Sequence, residues 1–277
     1  MKLTTIVPHP SIAPFIHHFW VFEAPAGIPA TDARIVVPNG RPKLIVPWRN
    51  GLDAGNERYG RATRESEVVF IGVWDEPTTL SSSVAPTTTI GIEFKPSGLA
   101  RFLRGDMSDI FSSIAPADAL LGKAGRRLRE RLSSAASLGE AVRLTHHFLL
   151  ESFRRESDRA DLLANAAVHL MWQNNFRLNI EEIADRLGCS RRHLQTIFNQ
   201  RIGIAPKRLQ GILAFEELYR AFARDGNVSR LNEDALDHFY DQPHFIRNFR
   251  HFTGYSPTKY AELSNEFGAI FYRQSTV

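Results

Sequence analysis

The chain has 277 residues, 43% of them hydrophobic and 23% charged, with a formal net charge of +4 at pH 7. That length accommodates two domains, and the mild positive charge is compatible with nucleic acid as a partner without requiring it. A single cysteine, Cys189, excludes an internal disulfide and a Cys-rich zinc site. No run approaches about 18 consecutive apolar residues, and MKLTTIVPHP lacks a signal peptide's apolar core, so a cytoplasmic chain without a membrane partner is expected.

Up to about Phe94 the sequence reads as strands and turns. Short β-branched or aromatic runs stand at His17–Phe22, Arg34–Val37, Lys43–Val46, Val68–Ile71 and Thr87–Phe94. Pro38-Asn39-Gly40, Asn50-Gly51 and Pro86 punctuate them. This spacing suggests a small barrel or sandwich. After Lys95-Pro96-Ser97-Gly98 the pattern turns helical. Ser137-Leu138-Gly139-Glu140 has the form of a capping box and opens a run through Phe153, and Asp158 caps a further helix to about Gln173. The charged stretch 151–160 reads as a hinge between domains or as a solvated helix end. The expected domains are 1–155 and 160–265.

The C-terminal part contains a repeat. Residues 190–206 read SRRHLQTIFNQRIGIAP and residues 241–257 read DQPHFIRNFRHFTGYSP. His193 and His244, Phe198 and Phe249, Gly203 and Gly254, and Pro206 and Pro257 share one offset of 51 residues (244 − 193). Each unit reads as helix, tight turn, helix. In the first, Asn179 is an N-cap with Glu182 three residues on, and Ile180, Ile183, Ala184 and Leu187 form the inward stripe. Gly188-Cys189 makes the turn, where Cys189 is expected to be a small filler, and Ser190 caps the second helix. Leu194, Ile197 and Phe198 face inward, leaving Arg191, Arg192, Gln195, Thr196 and Asn199 outside. In the second unit Asp241 is the cap and Pro243 fits the first turn. Phe245 and Phe249 face inward there, leaving Gln242, His244, Ile246, Arg247 and Arg250 outside. Such faces read base edges and hold phosphates. Two ordinary hairpins with solvated faces would look similar singly, but duplication with arginine on both second helices favours DNA. Between the units, Pro206 to about Arg224 reads as one helix of roughly 28 Å, near the ~34 Å between successive major grooves on one face of B-DNA.

These residues resemble the AraC/XylS family of transcription regulators. IEEIADRLGCSRRHLQTIFNQRIGIAPKRL is similar to its first helix-turn-helix, and FYDQPHFIRNFRHFTGYSPTKY to its second. The resemblance covers about residues 160–262 and implies an all-α domain with two recognition helices. One departure is visible: the glycine usual before the aromatic residue of the second turn is absent, since Asp237-His238-Phe239 stands there. More weakly, Arg34–Gly40 and Gly91–Gly98 resemble the sensor domain of one branch of the family, a cupin-like barrel with helices that often dimerise. The resemblance names no ligand.

The expected architecture is thus α+β: an N-terminal cupin-like small β-barrel with flanking helices, then an all-α domain with two helix-turn-helix units. Trp20, Trp48 and Trp74, with Arg34 and Glu93, are candidate effector-lining residues, although aromatic residues in a small barrel are usually core. A cupin-type enzyme is disfavoured: His17 and His18 are adjacent on a strand and should point to opposite faces, so no metal site assembles. No phosphate loop or nucleophile elbow is present. No catalytic residue, metal or cofactor is therefore expected. The expected partners are promoter DNA, RNA polymerase, a small-molecule effector and a second copy of the chain. The rival reading makes the N-terminal half a dimerisation or polymerase-contact module without effector.

Overall fold

Strand β2 (Ile16–Ala24) sets the plan of the N-terminal half, because its alternate side chains enter two different apolar layers. Phe19 and Val21 face one layer, Trp20 and Phe22 the other, and Leu44, Val46 and Ile45 divide the same way on β4 (Lys43–Arg49). A sheet covered on both faces needs apolar residues at both phases of the strand period. The computed structural model describes residues 1–28, 35–56, 61–64, 67–82, 84–225 and 242–263. Arg34, Asp241 and the Asp237-His238-Phe239 departure lie outside the described residues.

The remaining strands are β1 (Lys2–Ile6), β3 (Ile35–Val36), β5 (Asp53–Asn56), β6 (Arg61–Arg64), β7 (Val69–Ile71), β8 (Thr78–Ser81), β9 (Thr87–Phe94) and β10 (Ile114–Pro116). They form a six-stranded sheet of order β1-β2-β9-β4-β7-β10 and a four-stranded sheet of order β3-β8-β5-β6. The paired strands are antiparallel throughout both sheets. Trp20, Ile45, Leu52, Leu80 and Val36 fill the layer between the sheets. Gly91 of β9 makes that layer possible, since a Cβ there would lie 2.0 Å from the Trp20 ring.

The helices begin with α1 (Ala117–Leu121), α2 (Lys123–Ser133) and α3 (Leu138–Ser152). Leu128, Leu132, Ala141, Phe148 and Leu149 of α2 and α3 cover the outer face of the large sheet. Ser137 caps α3 by accepting from the Glu140 amide. The stretch 153–158 before α4 (Arg159–Gln173) is pinned, because buried Arg101 donates from Nε to the Arg154 carbonyl at 3.1 Å and pairs with Asp161 at 3.5 Å.

The C-terminal half continues with α5 (Ile180–Arg186), α6 (Arg191–Arg201), α7 (Pro206–Asp225), α8 (Gln242–Thr253) and α9 (Pro257–Glu262). Asn179 and Glu182 form the capping box of α5, and Ser190 caps α6. Helix α7, 20 residues and about 30 Å long, packs against both α6 and α8. Leu194, Ile197, Phe198, Leu213, Phe215, Phe245 and Phe249 are buried in one shared core. Ile35, Val37 and Val73 from the N-terminal half join that core. No helix among the described residues is long and apolar enough to cross a membrane.

Candidate DNA interface and effector cavity

Helix α6 presents its polar face outward. Arg191, Arg192, Gln195 and Thr196 are exposed, while Asn199 is half-buried. The Thr196 hydroxyl donates to the Arg192 carbonyl at 3.1 Å, within its own helix. On α8, Ile246, Arg247 and Arg250 are exposed, opposite the buried Phe245 and Phe249. Gln242 and His244 belong to α8, but their side chains lie outside the described residues. Capping explains the local geometry. Ser190 accepts from the His193 amide at 3.1 Å, so α6 starts where the arginines do. Gly188 takes φ +62°, which turns the chain between α5 and α6 and which an L side chain resists. Cys189 is half-buried, and burial pushes its thiol pKa up, which suits a turn filler more than a reactive thiolate.

The second feature lies between the sheets, a cavity of about 130 Å³. Its apolar walls include Trp20, Ile45, Leu52, Ile71 and Leu80. Its polar rim includes Asn39, Arg41, Lys43, Glu76 and Glu93. Trp74 lines it as well, and so does Glu216, which belongs to α7 of the C-terminal half. Of the residues expected around an effector, the structure brings Trp20, Trp74 and Glu93 together here. Trp48 is a correction: it packs into the opposite layer, against the helices, because it falls on the other phase of β4 from Ile45.

The pairing of His17 and His18 is a second correction. The register of β2 against β9 slips between Ile16 and His18, a β-bulge that sets two residues against one. Consecutive side chains therefore no longer point to opposite faces, and the two imidazoles sit 4.2 Å apart by ring centroids. Ligand-capable atoms of His17, His18 and Glu93 come within 4.8 Å of one another, so a three-residue metal geometry does assemble. Its surroundings do not suit a divalent cation. Lys43 Nζ lies 3.4 Å from Glu93 Oε1, and Asn39 Nδ2 donates to the same oxygen at 2.6 Å. Burial alone would raise the Glu93 pKa, but the charges of Lys43 and Arg41 and the His18 contact hold it well below the ordinary carboxylate range. Burial and then the Arg41 charge lower His17 to about 3.

That depression sets a pH dependence. The unfolded chain binds a proton at His17 below its ordinary value of 6.5, whereas the folded chain refuses it until about 3. Stability from this group is complete above pH 6.5 and is lost as pH falls. At pH 5 the loss is about 2 kcal/mol, one and a half units at ~1.4 kcal/mol each. In urea unfolding between pH 7 and 5, His17→Asn is expected to lose less stability than the native chain by about that amount. Parallel pH profiles would contradict the assignment.

Three polar links tie the cavity to the C-terminal helices. Arg41 Nη1 meets Glu216 Oε1 at 2.5 Å, with both side chains buried, and Arg220 Nη2 reaches the same oxygen at 2.8 Å. Gly40, with φ +67°, seats the Asn39–Arg41 loop on α7, where a Cβ would stand 2.9 Å from Leu209. Asp75, next to Trp74, pairs with Arg208 at the start of α7 and lies 3.8 Å from His251 of α8. Burial alone would raise the Asp75 carboxyl, but His251 and Arg208 overcome it and hold it below its ordinary value. None of these partners was foreseen in the sequence. Glu216 carries one signal: it continues the inward stripe Leu209, Ile212, Leu213 at helical spacing, where a carboxylate demands a partner.

Residues 4–116 match a family model described as a domain of unknown function (DUF6597), and residues 183–262 match one described as a helix-turn-helix domain. No curated protein matches the chain. Among solved structures, ToxT from Vibrio cholerae is similar at 10% identity and a TM-score of 0.50, over 88% of this chain and 98% of that one. ToxT bound to an unsaturated fatty acid is 12% identical, with a TM-score of 0.46 over 88% and 94% of the two chains. ToxT bound to (E)-4-(8-methylnaphthalen-1-yl)but-3-enoic acid is 11% identical, with a TM-score of 0.48 over 88% and 98%. At 10% identity the likeness to the first of these is one of fold.

Proposed function

Residues 183–262 match a helix-turn-helix domain, and we propose that the chain is a DNA-binding transcription regulator of the AraC type, in which α6 and α8 read promoter DNA under control of a small molecule in the cavity between the sheets. The observation that carries this reading is the double role of α7. One helix packs against both α6 and α8 and also supplies Glu216 to the cavity wall. An effector that binds one arrangement of Arg41 and Glu216 better than another shifts the population of α7 positions, and with it the spacing of the two faces. Trp74 lines the cavity, and its neighbour Asp75 links that wall to Arg208 on α7 and His251 on α8. The proposed partners are double-stranded promoter DNA, RNA polymerase and a second copy of the chain, and the proposed compartment is the cytoplasm. The proposed contacts are Arg191, Arg192, Gln195, Thr196, Asn199, Gln242, His244, Ile246, Arg247 and Arg250.

Selection from random duplex DNA by the full chain is the direct test. Enrichment of a two-part sequence is expected, and recovery of unenriched DNA at physiological salt would contradict sequence-specific binding. Ile246 sharpens the expectation. It is 39% exposed in the middle of an otherwise polar surface, where an apolar side chain suits a thymine methyl group. Ile246→Ala is expected to weaken the selected site by about 1–3 kcal/mol, as for a lost base contact, while sparing non-specific binding, because no charge is lost. Replacing the contacted thymine with uracil should make the mutation nearly silent. An equal loss on random DNA would show that Ile246 is not a reader.

A further inference from the structure

A second opening lies between α1, α2 and the end of α3, and it shares no lining residue with the cavity between the sheets. It is a groove of about 640 Å³. Leu120, Leu121 and Phe153 give it an apolar lining and are half-buried. Arg127 and Arg131, about one helical turn apart on α2, line it together with Arg104, and all three are exposed. Among the described residues none of the three has a carboxylate within ion-pair distance, whereas Arg129 of the same helix pairs with Asp118 at 3.0 Å. Of the carboxylates that line the groove, Glu151 meets His147 at 3.1 Å, and neither it nor Glu130 reaches the three arginines.

Like charges at positions i and i+4 of a helix repel, so Arg127 and Arg131 hold an unrelieved charge at the edge of an apolar surface. An arginine stripe on a merely solvated face needs no apolar neighbours. Apolar residues at the centre with arginine around them are the make-up of a protein interface. A guanidinium group binds a carboxylate through two parallel hydrogen bonds, and carboxylates four residues apart on a helix match the spacing of Arg127 and Arg131. We propose that the groove docks an acidic amphipathic helix of a partner protein, with its apolar stripe on Leu120, Leu121 and Phe153 and its carboxylates on Arg104, Arg127 and Arg131. A second copy of the chain fits less well. Symmetric contact through α2 would set its basic residues Lys123, Arg126, Arg127, Arg129 and Arg131 against themselves, with Glu130 as the helix's one carboxylate. DNA phosphates would engage the arginines but leave the apolar lining unused. The partner site goes beyond the DNA-binding reading and does not depend on it.

The test titrates the full chain with a fluorescein-labelled peptide of about 20 residues, long enough to hold a helix. The peptide carries leucine along one stripe, glutamate beside it and alanine elsewhere. Its affinity, read by anisotropy, is expected to fall about tenfold or more in Arg127→Ala/Arg131→Ala. A similar loss is expected in Ala124→Glu, which sets a carboxylate into the groove from an exposed position of α2. Both variants alter exposed helix positions, so their unfolding midpoints should match the native chain. Arg126→Ala/Arg143→Ala, exposed and outside the groove, removes the same charge and is expected to bind the peptide as the native chain does. Peptides with lysine in place of glutamate, or serine in place of leucine, are expected not to bind. No binding of the acidic peptide, equal binding of the serine peptide, or an equal loss in Arg126→Ala/Arg143→Ala overturns the proposal. So does weaker binding of random duplex DNA by Arg127→Ala/Arg131→Ala, which would give the face to DNA. A change from dimer to monomer in that variant would give it to a second copy and overturn the proposal as well.

Discussion

Replacing Arg192 and Arg247 together with alanine is expected to abolish tight operator binding while leaving the fold intact. Both guanidinium groups are exposed, one on each second helix of the duplicated unit. Losing a base-reading arginine costs about 1–3 kcal/mol. Two such losses at well-separated positions should add, so affinity should fall at least about thirtyfold. The salt dependence should also shallow if either group neutralises a phosphate, by about one unit of slope for each. Exposed substitutions away from caps and buried pairs change stability by about 0.5 kcal/mol or less. An unchanged unfolding midpoint would therefore separate lost recognition from lost folding. Native affinity of the double variant at physiological salt would show that these faces do not bind DNA.

Removing Arg41 is the second large effect. Its partner Glu216 is buried with a side-chain exposure of 1%, and Arg41 itself is 5% exposed. Truncating one member of such a pair leaves a charge without its counter-ion and costs on the order of 3 kcal/mol. Arg220 remains beside Glu216 and limits the loss. Arg41→Ala should therefore lower the unfolding free energy by about 2–3 kcal/mol, measured in urea. The double variant Arg41→Leu/Glu216→Leu should recover most of it, since apolar replacements of a buried pair are often neutral. A loss confined to the single variant identifies the pair as the tie between the N-terminal sheets and α7. Equal losses in single and double variants would assign the cost to packing.

The parts legible in the sequence share one property: the signal is local or repeated. Strand β9 has the bounds of the β-branched run Thr87–Phe94 itself. The caps Ser137, Asp158, Asn179 and Ser190 all act where short-range pattern placed them. The duplicated unit made the inward residues of α6 and α8 readable. What escaped is non-local or aperiodic. The bulge at His17 breaks the two-residue period by one position and has no signature in composition. Strand β10 completes the large sheet from a place where the pattern had already turned helical. Arg41 and Glu216 stand 175 residues apart, so their pairing depends on how the two halves pack. Trp48 and Trp20 carry the same aromatic signal but fall on opposite faces of one sheet, and only the register tells them apart.

The geometry of DNA contact tests the account most directly. Helix α7, about 30 Å long, packs against both α6 and α8, and its length is near the ~34 Å between successive major grooves on one face of B-DNA. Hydroxyl-radical footprinting of the full chain on its selected site is expected to show two protected patches on one face of the duplex. Their centres should lie about ten base pairs apart, and the patch assigned to α8 should fade in Arg247→Ala. A single protected patch, unaffected by Arg247→Ala, would contradict the claim that one chain reads two successive major grooves.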